Sequence, residues 1–149
     1  MPLEHYDFEE SVGYWIACAN QAYGRAFQEK LTPYGITFRQ AQVMGWLVIE
    51  GPMSQVELAG KMLIEPPSLV GIVDRMESAG LIERRACSSD RRKNLVHLLP
   101  ASEQMWSQIA ECARTMRTEA TQGLSEEECA TLRRLLKKVL DNVTVLQAT

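Results

Sequence analysis

Basic side chains that could bind an anion are concentrated in one short segment of the sequence. Five of them lie between Arg84 and Lys93, where Asp90 is the one acid. The whole chain of 149 residues has a formal net charge of −3, so this excess of positive charge is local. Ammonium and guanidinium groups bind phosphate, and a guanidinium can also donate two hydrogen bonds to a base edge. The segment therefore predicts a nucleic-acid contact confined to one part of the chain.

The centre of this segment has the composition of a turn. We expect it to contact DNA through a wing tip of five residues, Ser89, Asp90, Arg91, Arg92 and Lys93. An arginine inserted into a narrow minor groove is a recurrent means of reading DNA shape. Asp90 fits this role because an aspartate can brace a neighbouring arginine or close the turn with its side chain. A solvated charged loop is the alternative interpretation of such a run taken alone.

A second candidate contact lies at the start of a predicted helix. Pro66–Pro67 suits a first helical turn, where the missing N–H groups would be unpaired in any case. We expect the helix dipole and the free N–H groups there to favour phosphate, and the Ser68 hydroxyl to reach a phosphate or a base edge. Arg75, further along the same helix, could reach either group. The alternative for Arg75 is a solvated side chain or an ion pair with Asp74 or Glu77.

The elements that position these residues follow from hydrophobic periodicity and capping patterns. Residues 54–99 give the order helix, turn, helix, strand, basic tip and strand, which is the order of a winged helix-turn-helix. Three Ser or Thr residues followed three positions later by Glu or Gln predict helix starts. The predicted helices are 9–31, 37–49, 54–62, 66 to about 79, one that begins at Pro100 and one that begins behind Ser125, and the predicted strands are 81–85 and 94–98.

The last predicted helix carries a wide apolar stripe that needs a partner, with Leu132, Leu136 and Leu140 among its members. A fold that is mainly α with a small β-hairpin has too few elements to cover this stripe in a monomer, so we expect a homodimer. The predicted division is an N-terminal dimerisation helix in 1–36, a DNA-binding domain in 37–99 and C-terminal dimerisation helices in 100–149. An intramolecular bundle without dimerisation is the alternative.

Three segments carry a resemblance to a known family: Pro66–Val70, Gly80–Arg84 and Cys87–Arg92. They resemble the recognition helix and the Asp-x-Arg wing of MarR-type regulators, and the SlyA branch most closely. The resemblance spans the chain from the first helix to the last. It implies a homodimeric transcriptional regulator, expected to be a repressor, that binds a pseudo-palindromic operator in double-stranded DNA and is released by a small phenolic or aromatic ligand.

The resemblance also implies roles for individual residues. Arg92 is the arginine that enters the minor groove, Glu65 stands where an acid pairs with that arginine, and Pro67 and Ser68 match recognition-helix contacts. The sequence departs from the SlyA branch at Gly71, where that branch has an arginine that reads bases. It departs again at Leu99–Pro100, which replaces a Leu-Thr pair that caps the next helix.

A ligand pocket is expected at the junction between the helical and winged parts. Four aromatic residues and two arginines are the candidates to line it for an aromatic anion, although bulky apolar side chains at helical spacing more often form core. These candidates are Trp15, Arg25, Tyr34, Phe38, Arg39 and Trp46.

Two alternatives to ligand-controlled DNA binding remain open at this stage. A thiol-based redox switch would use Cys18, although a cysteine on a packed helix usually behaves as a small hydrophobe. A winged helix can also serve as a protein-interaction module, against which the basic hairpin argues.

Other classes of function find no support in the sequence. There is no glycine-rich phosphate loop, no H-E-x-x-H and no S-x-x-K, so we do not expect an enzyme. The four cysteines lack a C-x-x-C pair and there are two isolated histidines, so neither a metal nor a cofactor is expected. An acidic N-terminus and short apolar runs predict a cytoplasmic protein with no contact to a membrane.

Overall fold

The computed structural model describes residues 1–147, which form a mainly helical fold with one two-stranded antiparallel hairpin, as predicted. The helices are α1 (Val12–Leu31), α2 (Phe38–Glu50), α3 (Gln55–Met62), α4 (Pro66–Ser78), α5 (Glu103–Ala120) and α6 (Glu126–Gln147), and the strands are β1 (Ile82–Ala86) and β2 (Asn94–Leu98). No helix within these residues is long and apolar enough to cross a bilayer.

Two of the predicted capping boxes are complete. The Thr37 hydroxyl accepts from the Gln40 amide at 3.1 Å, and the Gln40 side chain accepts from the Thr37 amide at 3.0 Å. Ser125 and Glu128 make the same reciprocal pair at 3.0 and 2.9 Å. Each pair satisfies two backbone N–H groups that a helix start leaves without partners. The starts of α2 and α6 are therefore encoded locally.

The third capping box forms only in half. The Ser54 hydroxyl accepts from the Glu57 amide at 3.2 Å, but the Glu57 carboxylate binds the Lys93 ammonium at 2.6 Å. The Ser54 backbone is among the groups that lower the pKa of Glu57, but the short bond of this carboxylate is the one to Lys93, because a charged partner makes the stronger hydrogen bond. The result is a link between α3 and the hairpin.

Two helix starts differ from the predicted ones. The first helix was expected from residue 9, but Phe8–Glu10 forms a separate 3-10 turn and the extended backbone of Ser11 delays α1 to Val12. Pro100 likewise opens a 3-10 turn, and α5 begins at Glu103. Periodicity locates a helix better than it locates its first turn.

The described residues form two compact units, which divide between residues 116 and 117. The core of the first unit gathers one face of α4, including Leu69, Val73 and Met76, with Ile82 of β1 and Val96 of β2. Burying side chains of this size contributes about 1.5–3 kcal/mol each, so the core fixes which face of α4 points outward. The exposed face is the one that carries the candidate binding residues.

The hairpin is joined to this core as well as to itself. Ile82 pairs with Leu98 and Arg84 with Val96, so the two strands stay in register up to the wing tip. Met53, immediately before α3, forms a β-bridge with Val96. The position of the hairpin is therefore coupled to the start of the helix-turn-helix.

In the second unit, the described residues of α6 include none that is buried. Its apolar stripe faces solvent, with Leu132, Leu135, Leu136, Leu140, Val143 and Leu146 all exposed. The division of the chain into DNA-binding and dimerisation parts stays a prediction.

Candidate DNA interface

The outer face of α4 presents the predicted recognition residues. Pro66, Pro67, Ser68 and Arg75 are exposed, and Gly71 is half-buried beside them. With a period of 3.6 residues, positions 68, 71 and 75 fall on one stripe of the helix. The structure thus brings these residues together on one surface, and their contact with DNA stays a prediction.

The start of α4 offers fewer backbone donors than expected. The prolines at 66 and 67 have no N–H group, the Ser68 amide donates to the Glu65 carbonyl at 3.0 Å, and the Leu69 amide donates to the same oxygen at 3.4 Å. The expected cluster of free N–H groups is therefore absent from this first turn. The Ser68 hydroxyl is the donor that remains at this end.

An arginine that sequence reasoning did not select connects the elements of this surface. Arg84 of β1 donates to Gln55 of α3 at 2.6 Å, to Asp74 of α4 at 2.6 Å and to Glu77 of α4 at 2.7 Å. Its backbone amide also donates to Glu77. With 21% of its side chain exposed, Arg84 acts as a positioning residue that joins the hairpin to both helices.

The same network tests the ion-pair alternative for Arg75. The acids expected to pair with it, Asp74 and Glu77, are bound by Arg84. Among residues 1–147, no ion pair or hydrogen bond involves the Arg75 side chain. The ion-pair alternative for Arg75 is therefore wrong in this structure, and its exposed guanidinium fits both a solvated side chain and a contact with DNA.

The wing tip is organised by Asp90. One carboxylate oxygen accepts from the Arg92 amide at 3.1 Å and lies 3.4 Å from Nε of the same residue, and the Asp90 carbonyl accepts from the Lys93 amide. Both expected roles of Asp90, closing the turn and bracing an arginine, are confirmed. The Arg92 side chain is 93% exposed. Arg91 is exposed as well, so the tip projects two guanidinium groups into solvent.

The partner of Arg92 in this structure differs from the one that the resemblance implies. Arg92 is braced by Asp90, and no ion pair within the described part of the chain joins Glu65 to it. Asp90 holds the guanidinium because it lies two residues away in the same turn. A role for Glu65 with DNA bound stays a prediction.

Lys93 is less available than the arginines of the wing tip. Its ammonium binds the Glu57 carboxylate at 2.6 Å, which lowers the pKa of Glu57 and raises the pKa of Lys93. The stabilisation of the folded state by this ion pair is present above the ordinary glutamate pKa of 4.5. It is lost as the pH falls through the lowered pKa of Glu57. At the alkaline end it is present below 10.5 and is lost as the pH rises through the raised pKa of Lys93. Lys93 therefore joins the wing to α3 through an ion pair.

We expect the double variant Glu57→Gln/Lys93→Met to leave the salt dependence of DNA binding unchanged. The double substitution removes the Glu57–Lys93 ion pair without a change in net charge. No phosphate contact is lost if Lys93 binds Glu57 and not DNA. Arg91→Met is the comparison, because the loss of one phosphate contact reduces the slope of log K against log salt by about 1. A reduction of the same size in the double variant would show that Lys93 contacts phosphate.

Four of the six predicted pocket residues line one cleft of about 560 Å³, namely Arg25, Phe38, Arg39 and Trp46. The other two lie elsewhere. Trp15 is 55% exposed and its indole donates to the Glu9 carbonyl at 2.8 Å, while Tyr34 lines a separate surface groove. Trp15 and Tyr34 were grouped with the others as aromatic residues expected at the junction, but the α1 face and the turn after α1 direct them away.

The cleft has the chemistry of an anion site. Its lining contains three cationic residues and no acid: Asn20, Gln21, Gly24, Arg25, Gln28, Thr37, Phe38, Arg39, Gln42, Trp46, Lys61, Met62 and Leu63. Lys61 lies 5.1 Å above the Trp46 ring, although its ammonium is also 3.6 Å from Glu50. Sequence reasoning missed Lys61, which lies on α3, far from the aromatic residues in the chain.

One wall of the cleft belongs to the helix-turn-helix. Leu63 ends α3 in a left-handed conformation, with φ of 55°, and its side chain is exposed. A leucine in this region is strained, because its Cβ crowds the backbone. The turn that sets the start of α4 thus borders the cleft directly.

The cysteines form no metal site. Within residues 1–147, no three His, Cys, Asp or Glu side chains are placed to hold an ion, and Cys18, Cys87, Cys112 and Cys129 are free thiols. Cys18 is exposed, in contrast to the expectation of a packed position, because most of the α1 face that carries it lies in solvent. Redox sensing by Cys18 stays a prediction.

The helix-turn-helix, the paired hairpin and its exposed basic tip define a winged helix-turn-helix protein. The model of the MarR family matches residues 34–93. A mutant of MarR from E. coli is 30% identical with a TM-score of 0.76, and its complex with operator DNA is 29% identical with a TM-score of 0.78; each match covers 93% of this chain and 99% of the other. The chain belongs to the MarR family.

A further similar structure is BpsR from Bordetella bronchiseptica, with 26% identity and a TM-score of 0.78 over 93% of this chain and 99% of that one. Its DNA binding is described as regulated by 6-hydroxynicotinic acid. Family members and structural neighbours are transcriptional regulators, and similar structures include oxidised and reduced forms of MarR from E. coli.

Proposed function

We propose that this protein is a transcriptional repressor that binds a pseudo-palindromic operator as a homodimer. The observation that carries the proposal is the pair of exposed guanidinium groups of Arg91 and Arg92, on a wing whose base is joined to the recognition helix by Arg84. Local positive charge, a fixed wing and an exposed α4 face are what operator binding requires. The MarR structure bound to operator DNA supports this function. The resemblance at Pro66–Val70 and Cys87–Arg92 supports placing the protein in the SlyA branch.

Binding to a short duplex at a series of salt concentrations tests this proposal against the protein-interaction alternative. Neutralising phosphates releases counterions, so we expect log K to fall linearly with log salt by about 0.9 for each phosphate contact. Retention of a bound protein from a mixture, with no binding to duplex DNA at low salt, would favour the interaction module.

The proposed homodimer rests on apolar surface that each unit leaves uncovered. In the second unit this is the stripe of α6 around Leu136 and Leu140. In the first unit it includes Trp15 and Ile16 on α1 and a cluster of rings at 4.9 to 5.7 Å formed by Tyr6, Phe8, Tyr14 and Trp15. Apolar patches on this scale mark interaction surfaces. We propose that a second copy of the chain covers them.

We further propose that the cleft binds an aromatic carboxylate that releases the operator. Two guanidinium groups, Arg25 and Arg39, can bind a carboxylate, and Trp46 and Phe38 offer ring faces in a lining without acids. The regulation of BpsR by 6-hydroxynicotinic acid supports a ligand of this class. Because Leu63 borders the cleft, an occupant that favours another conformation of this turn would shift the protein away from the DNA-bound arrangement of α4.

Calorimetric titration with salicylate and with 6-hydroxynicotinate tests the ligand site. We expect Arg39→Gln and Trp46→Ala to weaken binding by about 10-fold or more, because each removes a charged hydrogen bond or an aromatic contact. Trp15→Ala is the matched control, since Trp15 lies outside the cleft. Equal losses in the Trp15 and Trp46 variants, or no loss in the Arg39 variant, would contradict the assignment.

A further inference from the structure

Arg75 is the one basic residue of α4, and its side chain runs back along the outer face of the helix. Its Nη1 lies 3.8 Å from the position that a Cβ atom at Gly71 would occupy. The guanidinium therefore covers the glycine one turn towards the start of α4. Helical side chains lean in this direction in general, and here the missing side chain at 71 leaves the path open.

The charge of Arg75 is not neutralised by its neighbours. Asp74 and Glu77, the acids next to it in sequence, are held by Arg84 at 2.6 and 2.7 Å. No ion pair or hydrogen bond of the Arg75 side chain occurs in residues 1–147. Arg84 thus leaves a free guanidinium on the surface that carries Ser68 and Gly71.

We propose that Arg75 is the residue that sets operator specificity, by donating two hydrogen bonds to N7 and O6 of a guanine through the space above Gly71. This inference rests on the proposed operator binding and adds the residue and the base that it reads. Glycine destabilises a helix interior relative to alanine, so a glycine in the middle of α4 is consistent with a need for space. Residues 71 and 75 are separated by about 6 Å along the axis, a distance that an arginine side chain spans.

Selection of bound duplexes from a randomised library, followed by affinity measurements on the selected site and on its single-base variants, tests this assignment. We expect wild-type protein to select one guanine per half-site and to lose about 10- to 100-fold in affinity when that base pair is replaced. Arg75→Lys keeps the charge but not the two-pronged donor, so we expect it to lose this discrimination while its binding to unrelated duplexes is kept. Arg75→Ala loses both the discrimination and some affinity for every duplex.

Arg134→Lys is the matched control, because it makes the same change on an exposed arginine of α6, outside the winged domain. Thermal unfolding of the Arg75 variants is expected to match wild type, since the side chain is exposed and unpaired. Full discrimination in Arg75→Lys on the site selected by wild type would overturn the inference and leave operator binding intact. Failure of the wild-type protein to select any sequence would instead contradict the proposed function.

Discussion

Arg92→Ala is expected to weaken operator binding by 30-fold or more without lowering the midpoint of thermal unfolding. The Arg92 side chain is 93% exposed and, within residues 1–147, its ion pair is with Asp90 in the same turn, so its removal costs the fold little. On DNA the loss counts twice, because each subunit of the proposed dimer supplies one wing. A specific arginine contact contributes about 1–3 kcal/mol, which gives about 2–6 kcal/mol for two wings.

The measurement is a titration of an operator duplex by fluorescence anisotropy, with thermal unfolding followed in parallel. Arg134→Ala is the charge-matched control from α6. Wild-type affinity in Arg92→Ala would show that the wing does not enter a groove. A large fall in thermal stability would show that Arg92 has a structural role that the exposed position does not reveal.

Leu136→Glu/Leu140→Glu is expected to convert the proposed dimer to a monomer. Both leucines lie on the exposed apolar stripe of α6. In a dimer that covers this stripe, four carboxylates would lose water without a charged partner, and each uncompensated buried charge costs several kcal/mol. Removal of residues 125–149 is expected to have the same effect on association.

Sedimentation velocity at micromolar concentration measures this change. Val145→Glu is the matched control, because Val145 is also exposed on α6 but lies on the opposite side of the helix. A wild-type chain that sediments as a folded monomer would contradict the proposed architecture, and so would a double variant that remains dimeric. Monomers would also bind the operator weakly, since two linked half-site contacts are replaced by one.

Local patterns predicted the local structure well. The complete capping boxes at Thr37 and Ser125 depend on residues three positions apart, so the sequence contains both partners of each bond. The hairpin was also predicted, because the change from a helical period to alternation is itself a local signal. The role of Asp90 in the turn was predictable for the same reason, since its hydrogen bonds join residues at most three positions apart.

Contacts between distant residues could not be predicted in the same way. Glu57 had a plausible local partner in Ser54, but it binds Lys93, which is 36 residues away and comes near only when the hairpin forms. Arg84 lies 29 residues from Gln55 and nevertheless decides that Arg75 is free. Periodicity assigns a side chain to a face of a helix, and the packing of other elements decides what that face meets.

The predicted pocket contains residues that the sequence placed correctly and residues that it misplaced or missed. Phe38, Arg39 and Trp46 share α2, so helical spacing was enough to place them on one surface. Trp15 was grouped with them for its type alone, and the start of α1 directs it to the Glu9 carbonyl. Lys61 entered the cleft through the packing of α3 on α2, for which the sequence holds no local signal.

Selection from a randomised duplex library, with the stoichiometry of the selected complex measured by sedimentation, tests dimeric operator binding most directly. Two winged domains related by a two-fold axis require an inverted repeat whose half-sites are separated by about 10–10.5 base pairs, or a multiple of that spacing. We expect such a repeat, bound by two copies of the chain. A library that yields no preferred sequence, or an asymmetric site occupied by a single copy, would contradict it.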